Sequence, residues 1–385
     1  MKHVLVIYEG AADAPCDELE GATPLEIAHN IHATNLVKRG TGGLLQWSRD
    51  DRTASTENAL ALLLGINAAE AKNLRRGPVE ALGTSVDASR WTYAYRGNFI
   101  TTDGVKISES RVSGITPDET SELTKSIAAL FPGEHITLNV IGPGRVSVMF
   151  DRLTGKVDPG EFPAIGLPIE LDAKGNDRIE FMKASETLLG KHAINDVRLD
   201  LGENPASVLW LWGGGAPMHV GRPFIGAPLK AAMVSNSPLA RGMAKLCGMH
   251  FIDCGDLWTE SQKPAMIERD TLATCIARHD LMVVYIEAPL EGGDFGPPIE
   301  KVKGIDRVDI HFLARVADAV AAVPDTRLMV TALPPDGMAL AQTPVLLTGS
   351  RVKPDATERW NEMACASGSL GIMPAHRCLS MLVGE

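Results

Sequence analysis

The sequence predicts an α/β protein: a mainly parallel sheet covered by helices, with a smaller α+β element inserted into it. Three observations carry that expectation. Short apolar β-rich runs such as His3–Tyr8 and Leu281–Ile286 alternate along the chain with helical stretches, the pattern of a parallel sheet buried on both faces. The texture changes near Ser89, where Trp91–Thr102 and Glu134–Phe150 carry alternating, β-branched runs broken by Gly and Pro, as antiparallel strands do. Finally, Leu281–Ile286 leads into Ala288–Asp309. There Gly292, Gly293, Gly296, Pro297 and Pro298 make an irregular turn and Ile299 opens a helix. A strand end, a Gly-rich loop and a helix start is where open α/β sheets place their chemistry.

The elements follow in order. His3–Tyr8 is a buried strand, and Glu9-Gly10-Ala11-Ala12-Asp13 is the loop after it. Thr23-Pro24-Leu25-Glu26 starts a helix, with Pro just inside and Glu in the first turn. Thr56–Leu64 is helical by its Ala and Leu content, and Gly65 stops it. The Pro- and Gly-rich text at Val157–Pro168 reads as the return linker from the inserted element. Ser207–Leu211 reads as a strand and Gly213-Gly214-Gly215 as a tight turn after it. Ala231–Val234, Ser237–Leu246 and His250–Asp253 form a strand–helix–strand unit, and Asp325–Thr331 and Pro344–Leu347 add two strands. These readings divide the chain into a core of residues 1–88 plus 171–385 and an inserted cap of residues 89–170.

Composition narrows the function. Across 385 residues, 45% are hydrophobic and the net charge is −11. An acidic chain does not present the basic surface that nucleic acid requires, whereas a small anion answers only to local charge. With no run of about 18 apolar residues, no membrane span is expected, and the short apolar start is not a signal peptide. Six scattered cysteines form no C-x-x-C pair, as expected of buried free thiols in a reducing cytoplasm. Oligomeric state leaves no mark in the text.

Motifs sharpen the reading. Glu9–Pro15 is similar to a D-G-x-x-D-x-P opening, Arg76–Gly83 to G-R-G-P-x-E-A-x-G, and Arg96–Phe99 to R-x-N-F. Asn195, Arg198, Gly202 and Pro205-Ala206 match N-x-x-R-x-x-x-G-x-x-P-A, Ala288–Asp309 is similar to A-P-D-E-x-G-H-x-G-D, and Gly337–Leu347 and Asp355–Leu370 follow. In this order the chain resembles the archaeal-type cofactor-independent phosphoglycerate mutases of the alkaline phosphatase superfamily. The resemblance implies an alkaline-phosphatase-like core split by a cap, and glycolysis-related phosphomutase (isomerase) or phosphotransferase chemistry. It also implies two divalent ions (Mn, Zn or Mg) and a hydroxyl nucleophile that takes and returns the phosphoryl group.

Mapped residue by residue, that set is altered. Glu9 stands for the first Asp, and Thr56 for the nucleophilic Ser. Leu290 and Asp294 stand for the Asp and His of the loop. Leu333-Pro334 stand for the Asp-His strand end, and Leu340 for a last His. Leu and Pro ligate no cation, so at most one ion is expected, at Glu9, Thr56 or Asp294, with Asp13 and Glu291 nearby in sequence. Arg76, Arg96, Arg145 and Arg198 occupy motif positions and suit a phosphate or carboxylate, or else form surface ion pairs. His192 is a site residue or a structural histidine, and Gly213–Gly215 a phosphate cradle or a plain turn. Three functions remain open: a divergent phosphomutase with a cleft for a small anionic molecule, a non-catalytic binding protein, or metal-independent acid–base chemistry between Glu9 and Asp294.

Overall fold

The computed structural model describes residues 1–47, 55–133, 135–172, 174–221, 229–255, 268–287, 297–335, 338 and 340–384. Leu290, Glu291, Asp294 and the glycines Gly292, Gly293 and Gly296 lie outside the described residues. The chain divides into two compact units, residues 1–73 with 220–385, and residues 74–219. The described strands, in chain order, are β1 (Lys2–Tyr8), β2 (Thr41–Gln46), β3 (Tyr93–Thr102), β4 (Ile107–Glu109), β5 (Ile136–Gly142), β6 (Arg145–Phe150) and β7 (Val208–Gly215). After them come β8 (Ala231–Ser235), β9 (His250–Asp253), β10 (Leu281–Ile286), β11 (Thr326–Ala332), β12 (Gln342–Gly349) and β13 (Gly371–Pro374).

The larger unit is built on one eight-stranded sheet, in the order β13-β2-β12-β11-β1-β10-β8-β9. Its pairs are parallel except those of β12, which runs against β11 and β2. β1 is central and buried on both faces, which is why it reads as an unbroken apolar run. Alternate residues Val4, Val6 and Tyr8 join one core with Met282, Val284 and Ile286, while Leu5 and Ile7 face the other side. The register sets Tyr8 opposite both Ile286 and Ala332, so β1, β10 and β11 end level. Glu9, Glu287 and Leu333 therefore leave the sheet side by side: the Glu9 amide donates to Ile286 O (2.9 Å) and the Leu333 amide to Tyr8 O (2.8 Å). Helix starts follow the sequence signals. Thr23 and Glu26 close a reciprocal capping box, and the helix Thr56–Leu63 ends two residues before Gly65, which takes φ +77°.

The smaller unit holds an antiparallel five-stranded sheet in which β3 pairs with β4, β6 and β7, and β5 with β6. It is wider than residues 89–170 on both sides. The helix Arg76–Gly83 packs on β3 and β7, the helix Asp177–Leu189 packs on β7, and β7 pairs along β3. Val157–Pro168 is therefore not a return linker: Gly214 N donates to Pro159 O (2.7 Å) and Trp210 Nε1 to Glu161 O (2.9 Å), so the segment runs along β7. Gly213–Gly215 is not a tight turn either but the end of β7. A Cβ on Gly213 would stand 2.9 Å from Arg76 Cβ, and one on Gly214 2.7 Å from Tyr93 Cε1. The glycines make room for neighbouring side chains, and that occupied space is no phosphate cradle. Among the described residues, no helix is long and apolar enough to cross a membrane.

Candidate functional site

In the larger unit, polar chemistry gathers at the level ends of the parallel strands, where crossover folds place ligands. Glu9 is wholly buried, and its carboxylate accepts from the Tyr285 hydroxyl of β10. Glu287, two residues beyond Tyr285, is also buried, and accepts from the Ser237 hydroxyl. Ser237 in turn caps the helix Pro238–Leu246 by accepting from Ala240 N (3.3 Å). Ser235 fixes the strand ends together: its hydroxyl donates to Tyr285 O (2.7 Å) and accepts from Ser237 N (3.0 Å). Thr56 is buried at the start of its helix, which packs on the helix Pro238–Leu246. Asp13 is held by the buried ammonium of Lys301.

Glu9 thus has a hydroxyl neighbour, and the second described carboxylate at the strand ends is Glu287. Motif reading missed Glu287, although a lone carboxylate closing an apolar strand run was the available signal. Leu333 is wholly buried, and Pro334 and Leu340 are partly so. Among the described residues no group of three His, Cys, Asp or Glu side chains is placed to hold a metal ion. The six cysteines are free, and burial alone pushes the Cys247 and Cys378 thiols up to about 12. One more carboxyl of this unit is shifted. Glu362 accepts from Thr23 Oγ1 (2.9 Å), and burial, with the Glu26 and Asp13 carboxylates adding to it, raises its pKa to about 7.

In the smaller unit three of the four motif arginines meet. Arg76 Nε donates to Glu80 Oε1 (2.7 Å), one helical turn along the same helix. Arg96 Nη1 donates to that same oxygen, and Arg96 Nε to Asn98 Oδ1 (3.0 Å). The i, i+2 spacing in β3 puts Arg96 and Asn98 on one face, and Asn98 Nδ2 anchors on Ser110 O (3.1 Å). Arg145 is opposite Asn98 in the β3–β6 register. All three arginines and Glu80 are at most 5% exposed. Burial pulls the Arg96 guanidinium below its usual range, Glu80 works against that, and the charges of Arg145 and Arg76 add to it. The helix can come this close because Gly77 has no side chain: a Cβ there would be 2.7 Å from Tyr95 Cα.

Arg198 does not join them. Nε donates to Asn204 O (2.8 Å), Nη2 to Ser113 O (2.7 Å), and Nη1 pairs with Glu119 (3.0 Å) and Glu203 (3.2 Å). Asn195 binds Leu189 O and Ala206 O (2.8 Å each) and receives Ala206 N (2.9 Å). His192 caps its helix by accepting from Ile194 N (3.3 Å), and Nε2 meets Ser126 Oγ (3.0 Å). The spaced motif is a clamp that ties the helix Ala193–Asp200 to the chain entering β7.

Comparison with known proteins agrees with this layout. A family model described as 2,3-bisphosphoglycerate-independent phosphoglycerate mutase matches residues 37–195. The mutase named as number 2 of Methanothermobacter thermautotrophicus is 28% identical over 402 residues, covering 100% of this chain and 97% of the relative. That of Methanothrix thermoacetophila is 27% identical over 400 residues and covers 100% of both. Two solved structures share the fold. A Pyrococcus horikoshii protein has TM-score 0.67 at 21% identity, covering 100% of this chain and 96% of its own. The cofactor-independent phosphoglycerate mutase of Thermoplasma acidophilum has TM-score 0.54 at 22%, covering 100% and 99%. Motif order, sheet architecture and full-length relatives agree: over its whole length the chain is similar to the cofactor-independent phosphoglycerate mutases.

Proposed function

We propose that this chain is a member of the cofactor-independent phosphoglycerate mutase family that takes a small phosphorylated or carboxylated molecule and does so without a conventional two-metal centre. The observation that carries the reading is the buried cluster of Arg76, Arg96 and Arg145 beside the carboxylate of Glu80. Guanidinium groups gathered in one place suit an oxyanion, because each offers paired N–H donors and a fixed charge. Thr56 supplies a hydroxyl where the family has its nucleophile, and Glu9 a carboxylate where it has an Asp. Leu333, Pro334 and Leu340 stand where ligands are expected, and they donate nothing to a cation.

Phosphoryl transfer with Thr56 as the attacking hydroxyl would then lack several kcal/mol of charge stabilisation, and each 1.36 kcal/mol is about tenfold in rate. Binding without turnover is the second reading, and the fully buried Leu333 favours it. Calorimetry with 3-phosphoglycerate tests the anion site, and elemental analysis of the dialysed protein tests the metal reading. Binding at millimolar concentration or tighter with fewer than two metals per chain is expected. Two retained metals per chain, or brisk mutase turnover, would overturn the metal half. Absence of binding would overturn the anion half.

A further inference from the structure

Glu80 sits at the centre of the guanidinium cluster without being an obvious substrate ligand. Its side chain is wholly buried. Oε1 accepts from both Arg76 and Arg96, while Oε2 has no hydrogen-bond partner among the described residues. A carboxylate present only for neutralisation gains most by offering one oxygen to each guanidinium or both oxygens to one. Here two arginines from different elements, one on a helix and one on β3, converge on a single oxygen. Asn98 holds Arg96 from a second side, and the helix bearing Arg76 and Glu80 is seated on β3 at Gly77. Two guanidinium groups are thereby fixed about a common point, with Arg145 as the third nearby charge.

We propose that Glu80 is a positioning residue of the anion site. It holds the Arg76 and Arg96 guanidiniums at a separation suited to one tetrahedral oxyanion, and so favours a phosphate monoester over a simple carboxylate. This rests on reading the cluster as an anion site. The sign of one substitution separates geometry from charge. Glu80→Gln removes a negative charge from beside three cations, so electrostatics alone predicts tighter binding of every anion. Positioning predicts the reverse, because the amide no longer draws both guanidiniums onto one atom.

The experiment is calorimetric titration of the full chain with 3-phosphoglycerate and, as the carboxylate control, glycerate. Wild-type protein is expected to prefer phosphoglycerate. E80Q is expected to bind it about tenfold or more weakly, with the preference over glycerate falling by a similar factor. Thermal melts report whether each variant is folded. If E80Q is not, E80D decides: it keeps the charge and moves the oxygens by one methylene, so positioning predicts the same loss and electrostatics no change. Equal or tighter phosphoglycerate binding by the folded variant, or an unaltered preference, overturns this inference while leaving the anion site intact. No binding of either compound by wild-type protein overturns the anion site and the inference with it.

Discussion

Two arginine networks of the smaller unit, both at motif positions, use the same side chain in opposite ways. Arg198 donates three hydrogen bonds, to two backbone carbonyls and the Glu119 carboxylate, and forms a second ion pair with Glu203. Arg76 and Arg96 instead share one carboxylate oxygen, with a third guanidinium close by. The first network satisfies the chain and has little left for anything else. The second gathers three guanidiniums in a buried place beside Glu80. A motif match does not separate these cases, whereas the partners of the side chain do.

The largest expected effect tests the clamp. Arg198→Ala should lower stability by about 3 kcal/mol in urea unfolding, since it empties a buried site and removes three hydrogen bonds and two ion pairs. Phosphoglycerate affinity in the folded fraction should hardly move. A comparable loss of affinity would place Arg198 in the anion site after all.

Glu362 gives the comparison an acidic counterpart, a half-buried carboxyl near the Glu26 and Asp13 carboxylates. Its folded pKa, about 7, lies above the unfolded value. The native state therefore binds the extra proton, and stability falls as pH rises from about 4.5 to 7 and is level above. Glu362→Gln should raise stability at pH 8 by roughly 1–3 kcal/mol and change little at pH 4. Parallel pH–stability curves for the two proteins would show that the carboxyl is not desolvated as described.

The smallest stability effect belongs to the arginine cluster itself. Arg145→Met keeps the bulk and removes a charge that opposes Arg96, so it should cost about 1 kcal/mol or less. Anion affinity should fall about tenfold, worth some 1.4 kcal/mol. Large destabilisation with unchanged affinity would make Arg145 a structural residue like Arg198.

Local signals carried much of the architecture. Leu281–Ile286 is a strand with the bounds its apolar run suggests, and Thr23 caps its helix as Pro24 and Glu26 indicate. What failed was pairing. Ser207–Leu211 looks like any buried strand, and nothing in its own residues says that it joins β3 in the smaller unit rather than β1 and its neighbours. A glycine triplet reads as a turn until Tyr93 and Arg76 are known to fill the space beside it. β2 and β13 escaped notice because TGGLLQ and GIMP are short and carry the residues that usually break strands. At the site, the arginine positions were legible from motifs. Their division into cluster and clamp was not, because Arg96 reaches Glu80, and Arg198 reaches Glu119 and Ser113, only through the fold.

The order of synthesis gives β1 an unusual wait. It is made before every other described strand, yet both of its neighbours, β10 and β11, lie beyond residue 280. Until they are made, Val4–Tyr8 is an apolar strand with two open edges, a template for aggregation or for a chaperone. The unit of residues 74–219 has its strand partners within itself and can complete its sheet while the first strand is still unmatched. Refolding from denaturant should therefore show a fast phase from the inserted unit and a slow, concentration-sensitive phase in which the central strand is enclosed.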